Sequence, residues 1–324
     1  MPKSRSQQIS LVDTPYYHCV SRCVRRAFLC GDDAVTGQNY EHRRGWVEKR
    51  LLFLTQVFAI QVCAYAVMSN HTHVVLFIDE ETAKNWSAMD IITRWHQLHK
   101  GTLITQQYVQ NGAVPEHLQP LLDATIETYR QRLIDISWFM RELNESIARQ
   151  ANQEDNCTGR FWEGRFKSQA LLDEAALIAC IAYVDLNPIR VKIDHTPETS
   201  HYTSIKQRIA AALHPEQPHN LLPFIGNPRQ HQPKGLPFQL ADYIELVDLT
   251  GRILRDDKRG HIDVSLTPIL QRLNIPSDNW LIITSEFEQH THIAVGKENN
   301  LTRYYQHCDY QRRPKITQTQ KLLA

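Results

Sequence analysis

Up to about residue 213, apolar positions follow two rhythms, and their order sketches a fold. Tyr16 to Val24 has the β-branched and aromatic content of a strand. Asn39 to Val57 is charged and amphipathic, the pattern of a helix. Ile60 to Met68 and His71 to Ile78 read as strands, and Ser69-Asn70 between them suits a tight hairpin turn. Ala83 to Lys100 has the helical period, and Leu121 to Gln150 is a long amphipathic stretch. Phe166 to Leu172 reads as a further strand, after which Asp173 caps a helix that Pro188 must end. The order β-α-β-β-α-(insert)-β-α predicts an α+β fold, a ferredoxin-like antiparallel sheet with helices on one face.

Past His214 the rhythm stops. Prolines 215, 218, 223, 228, 233 and 237 fix φ and remove backbone donors, which predicts an extended linker over 214–237. The expected organisation is a main domain over 1–213 with a helical insert at about 102–155, the linker, and a small, mainly helical C-terminal domain over 238–324.

The charge balance changes this picture only locally. The 324 residues carry 36 Lys+Arg against 35 Asp+Glu, a net +1, which excludes a uniformly basic coat but leaves room for basic patches. The first ten residues are polar and lack the apolar core of a secretory signal. The most apolar window, Leu51 to Met68, is interrupted by Thr55, Gln56 and Gln61, whereas a membrane span needs about 20 mostly apolar residues. Seven cysteines without a CxxC pair imply free thiols and a reducing cytoplasm. Cys19, Cys23 and Cys30 beside His18 have the wrong spacing for a zinc ribbon.

Two segments carry chemistry. In Met68-Ser69-Asn70-His71-Thr72-His73, the strand period puts His71 and His73 on one face, about 7 Å apart along the chain, where two imidazoles can hold a divalent cation. The alternative is a pair of surface histidines. In Tyr183-Val184-Asp185-Leu186-Asn187-Pro188-Ile189-Arg190, Tyr183 and Asn187 at i and i+4 share a helix face. A tyrosine hydroxyl there can attack a phosphodiester, and the amide oxygen can be a third ligand. The alternative is a core tyrosine near a helix end. Asp185 points elsewhere, two residues along the helix. Two other histidine groups read as structural. His290-Thr291-His292 has no tyrosine motif partnered to it, and His96 and His99 lack the spacing and glutamate of HExxH.

Taken together the segments closely resemble the single-tyrosine HUH transposases, in particular the REP-associated tyrosine transposase branch. The resemblance runs over most of 16–193, through Tyr17-His18-Cys19-Val20-Ser21-Arg22, the His-Thr-His strand, Gly159-Arg160-Phe161-Trp162-Glu163-Gly164-Arg165-Phe166-Lys167-Ser168, and Tyr183 to Arg190. Leu236-Pro237-Phe238 and Asp242 to Val247 resemble the tail of longer members. Thr72 departs from the usual bulky apolar residue but points away from the ligand face.

The resemblance implies the HUH fold, Tyr183 as nucleophile, His71, His73 and Asn187 as ligands of Mg²⁺ or Mn²⁺, and nicking and rejoining of single-stranded DNA beside hairpin repeats through a 5′-phosphotyrosine. It further implies a monomer in the cytoplasm at the nucleoid, with 238–324 serving hairpin recognition or control of the site. Local charge fits such a partner. Arg22, Arg25 and Arg26 give 17–30 a local +3, and Arg160, Arg165 and Lys167 against Glu163 give 157–170 a local +2, interleaved with Phe161, Trp162 and Phe166. Arg190 is counted with these DNA contacts. The tail 301–324 holds Arg303, Arg312, Arg313, Lys315 and Lys321 against Asp309. The rival reading is a catalytically silent nucleic-acid-binding regulator on the same fold.

Overall fold

The computed structural model describes residues 8–24, 30–31, 37–214, 216–226, 233–255, 268–310 and 322–323. Five strands form one mixed, mostly antiparallel sheet in the order β2-β3-β1-β4-β5: β1 Tyr16–Arg22, β2 Ile60–Val67, β3 His71–Ile78, β4 Lys167–Leu171 and β5 Ala294–Val295. The β2–β3 turn falls at Ser69-Asn70 as the sequence predicts, with Met68 N donating to His71 O at 2.9 Å. Central β1 is antiparallel to β3 and to β4. Its register sets His18 opposite both Val75 and Gln169, and Val20 opposite His73, so all five share one face of the sheet. The pattern did not foreshadow β5, which joins parallel to β4 through Ala170↔Ala294 and Leu171↔Val295.

Among the described residues there are thirteen α-helices: α1 His42–Val57, α2 Glu80–Asn85, α3 Ala88–His96, α4 Leu103–Asn111, α5 Gln119–Leu133, α6 Ile136–Glu154, α7 Glu174–Asp185, α8 Asn187–Arg190, α9 Ser204–Ala212, α10 Leu240–Arg255, α11 Pro268–Leu273, α12 Ser277–His290 and α13 Glu298–His307. Two expected helices are broken. The stretch from Ala83 to Lys100 divides because Ser87 starts α3 with a capping box, its hydroxyl accepting from Asp90 N while the Asp90 carboxylate accepts from Ser87 N. The stretch from Leu121 to Gln150 divides at Asp135, whose carboxylate accepts from Ser137 N and Trp138 N.

Packing groups the chain into two compact units, one of 1–45, 62–77 and 160–324, the other of 46–61 and 78–159. The first holds most of the sheet. Every residue of α7 from Ala175 to Asp185 is buried there, because Val75 and Leu171 of the sheet, Tyr243, Leu246 and Val247 of α10, and Trp280, Ile283 and Phe287 of α12 share its core. The apolar residues of α10 and α12 join the core around α7. In the second unit, Ile91, Ile92, Trp95, Leu122, Ile126, Tyr129, Leu133, Phe139 and Leu143 are buried, and Trp95 stacks on Tyr129 at 4.9 Å. No described helix is long and apolar enough to cross a membrane.

Candidate active site

The strand period brings His71 and His73 to one face, their ring centroids 4.7 Å apart. His71 Nδ1 lies 2.6 Å from Asn70 Oδ1 in the turn. An amide oxygen only accepts, so His71 holds its proton on Nδ1 and leaves Nε2 with a lone pair. His73 is fully buried, with Nδ1 3.0 Å from His18 Nε2 and its own Nε2 without a partner. Burial holds the His73 imidazole well below the usual histidine range, helped by the neighbouring His18 and His71 and by Arg190 and Arg22. Burial, then Arg22 and Arg190, push His71 down to about 4. Both rings are therefore neutral near pH 7, the form in which imidazole binds a metal.

α7 delivers the tyrosine. Asp173 opens the helix, accepting from Ala176 N at 2.9 Å, and burial of α7 on all sides sets its last turn beside His73. The Tyr183 ring stands edge-on to His73 at 5.6 Å and to His18 at 6.4 Å, and stacks on Phe287 of α12 at 5.4 Å. Burial and the Glu288 carboxylate push the Tyr183 hydroxyl above the usual phenol range, against Arg190 and Arg22. It stays protonated unless a cation or base assists it.

Pro188 does not simply end the helix. α7 closes at Asp185, and Pro188 sits in the first turn of α8, where its missing N–H costs nothing. Tyr183 and Asn187 thus belong to consecutive helices, yet Arg190 joins them. Its Nη2 donates to Asn187 Oδ1 at 2.7 Å and to Tyr183 Oη at 3.3 Å, with the guanidinium 4.9 Å over the tyrosine ring. Asn187 is fully buried and its Nδ2 has no partner. Orphaned His73 Nε2 and a neutral His71 fit a cation, although among the described residues no cluster of three His, Cys, Asp or Glu could hold one alone.

The remaining sequence-predicted residues divide. Arg22 lies directly across the β1–β3 ladder from His71. Residues 161–163 run alongside 22–24, through Val24 N to Phe161 O and Glu163 N to Arg22 O. Phe161 is buried and Trp162 half-buried, edge-on to it at 5.0 Å, while Arg160 is exposed. Exposed Arg165 and Lys167 line a cleft of about 580 Å³ with Val20, Gln169, Glu288 and Thr291. Arg25 and Arg26 lie outside the described residues, as do Arg312, Arg313, Lys315 and Lys321. Arg303 pairs with Asp13 at 2.9 Å.

Sequence reasoning missed His18 and Gln169 as parts of the site. His18 Nδ1 is 2.7 Å from Gln169 Oε1 and its Nε2 faces His73, so neither ring nitrogen is left for zinc. The available signal was a polar ring inside an apolar strand, which burial obliges to find partners. Glu288 was missed as well; its Oε1 stands 3.7 Å from His73 Nδ1, beyond hydrogen-bond reach.

The chain matches no family model and no curated protein. Among solved structures, one of a REP-associated tyrosine transposase bound to a REP hairpin aligns over 69% of this chain and 95% of that one, at 12% identity and a TM-score of 0.37. So loose a superposition carries no argument about this chain.

Proposed function

We propose that this chain is a metal-dependent transposase that nicks and rejoins single-stranded DNA beside hairpin-forming repeats, on a ferredoxin-like HUH sheet whose strands are β2-β3-β1-β4. The observation that carries this reading is the meeting of Tyr183 with His73, His71 and the Arg190–Asn187 pair on one sheet face, from segments more than a hundred residues apart. In the reaction, Tyr183 Oη attacks the phosphorus in line and the P–O3′ bond breaks. The products are a 5′-phosphotyrosine and a free 3′-hydroxyl, which can return to rejoin a strand without ATP. His71, His73 and Asn187 would hold Mg²⁺ or Mn²⁺, which when bound neutralises charge developing on the phosphate oxygens. Arg190 orients the phenol and offers its remaining N–H groups to phosphate. Arg22, Arg165 and Lys167 border this region and suit a single strand, with a monomeric protein as the acting species.

The test is to incubate the protein with labelled, hairpin-flanked single strands and Mn²⁺. A covalent protein–DNA adduct is expected, and Tyr183→Phe is expected to lose it by at least about a thousandfold, the scale of a lost nucleophile. An undiminished adduct with Tyr183→Phe sinks the assignment.

One observation favours the silent DNA-binding regulator. Tyr183 is only 4% exposed, between Phe287 and the Arg190 guanidinium. Metal-independent binding without adduct on any hairpin substrate selects that reading.

A further inference from the structure

We propose that Thr291, Gln169 and His18 form a one-way chain of hydrogen bonds that fixes His73 as the Nδ1–H tautomer and so aims its Nε2 lone pair into the site. The direction is set at the far end, by a backbone carbonyl that can only accept. Thr291 Oγ1 donates its single proton to Phe287 O at 2.6 Å. That hydroxyl must therefore accept at its next contact, 3.0 Å from Gln169 Nε2. The amide is thereby oriented, with Oε1 turned to His18 at 2.7 Å. An amide oxygen accepts only, so His18 Nδ1 carries the proton. A neutral ring has a single N–H, which leaves His18 Nε2 as an acceptor 3.0 Å from His73 Nδ1. His73 Nδ1 must donate, and its Nε2, buried and without a partner, keeps the lone pair.

Sheet register makes this possible. His18 and Gln169 are direct cross-strand partners, and His73 is the diagonal neighbour of His18 on the same face. The two imidazoles lie within 9° of parallel with centroids 5.2 Å apart, an arrangement that accommodates an N–H···N bond between the facing nitrogens. Free imidazole side chains prefer their proton on Nε2, which would block that atom as a ligand, so the chain reverses a default. His18, Gln169 and Thr291 are positioning residues. The consequence for metal binding rests on the proposed function; the tautomer does not.

The experiment is long-range ¹H–¹⁵N NMR on the full-length, ¹⁵N-histidine-labelled protein, with Mn²⁺ affinity measured in parallel. Wild type is expected to show His73 as Nδ1–H, and Gln169→Glu, which keeps an acceptor facing His18, to preserve it. Thr291→Val frees the Gln169 amide to turn over, and His18→Phe removes the acceptor altogether. Both are expected to move His73 toward Nε2–H and to weaken Mn²⁺ binding about 10- to 100-fold, the usual effect of losing an outer-shell partner. Since His18→Phe replaces a buried ring and can fail to fold, Thr291→Val and the wild-type spectrum carry the test independently. A wild-type His73 protonated on Nε2 overturns the proposal, as do an unchanged tautomer and affinity in folded Thr291→Val. A wild type with Nδ1–H that binds no Mn²⁺ supports the chain and refutes the metal reading instead.

Discussion

Asp185 follows the tyrosine by two residues and belongs to different chemistry. Its Oδ1 accepts from Ser204 Oγ at 2.5 Å and Ile205 N at 3.0 Å, and its Oδ2 from Tyr243 Oη at 2.5 Å. Burial pushes this carboxyl up to about 6 from an ordinary 3.8, against those hydrogen bonds and the Arg208 charge. A raised folded value means the stabilisation is fully present below the unfolded pKa and is lost as pH rises from about 3.8 through about 6. Asn is neutral throughout. Asp185→Asn should therefore gain stability relative to wild type between pH 4 and pH 7, by on the order of 1–3 kcal/mol. Urea melts of both proteins at pH 4, 5.5 and 7 check this; parallel pH curves contradict it. That Asp185 turns away from Tyr183 was legible from helical spacing. Its partners were not, because Ser204 and Tyr243 arrive from elements 19 and 58 residues away.

At the scale of elements, one cap does two jobs. Asp173 Oδ1 caps α7, and its Oδ2 accepts from Lys297 N at 2.7 Å, tying the start of α13 to the start of the tyrosine helix. Gly296 permits this approach. It has φ 153°, and a Cβ there would lie 2.8 Å from Asp173 Oδ2 and 2.9 Å from Leu172 Cβ. Asp173→Ala is expected to cost about 1–3 kcal/mol, more than a lone cap, since two contacts are lost. Gly296→Ala should destabilise by a similar amount through strain and collision. Thermal melts of both variants test this, and an unchanged midpoint for Gly296→Ala contradicts it. The cap at Asp173 was readable because the signal is local. Ser87 and Asp135 were equally local signals, but the continuous apolar period around them masked two helix breaks.

At the scale of the whole molecule, α10, α12 and Thr291 are part of the candidate site's support. Phe287 stacks on the tyrosine, Trp280 and Tyr243 fill the core beside it, and Thr291 holds Gln169. A fragment ending at residue 237 should consequently lose hydrogen-exchange protection and cooperative melting around α7, because it exposes the apolar residues of α7 that α10 and α12 cover. Circular dichroism and hydrogen exchange decide this. A fragment that melts sharply, with protected α7 amides, would show that the tail is dispensable for folding.

By itself the sequence determined the first four strands, the Ser69-Asn70 turn, the shared face of His71 and His73, and the start of the tyrosine helix. Each rests on side-chain period or turn chemistry within a few residues. Tertiary structure alone decided that Tyr183 meets those histidines, that His18 and Gln169 stand behind His73, and that a fifth strand and α12 close the same core. Those outcomes depend on β-register and on which apolar faces bury against one another. Such contacts join residues more than 50 and up to 151 positions apart in the chain, beyond the reach of any local pattern.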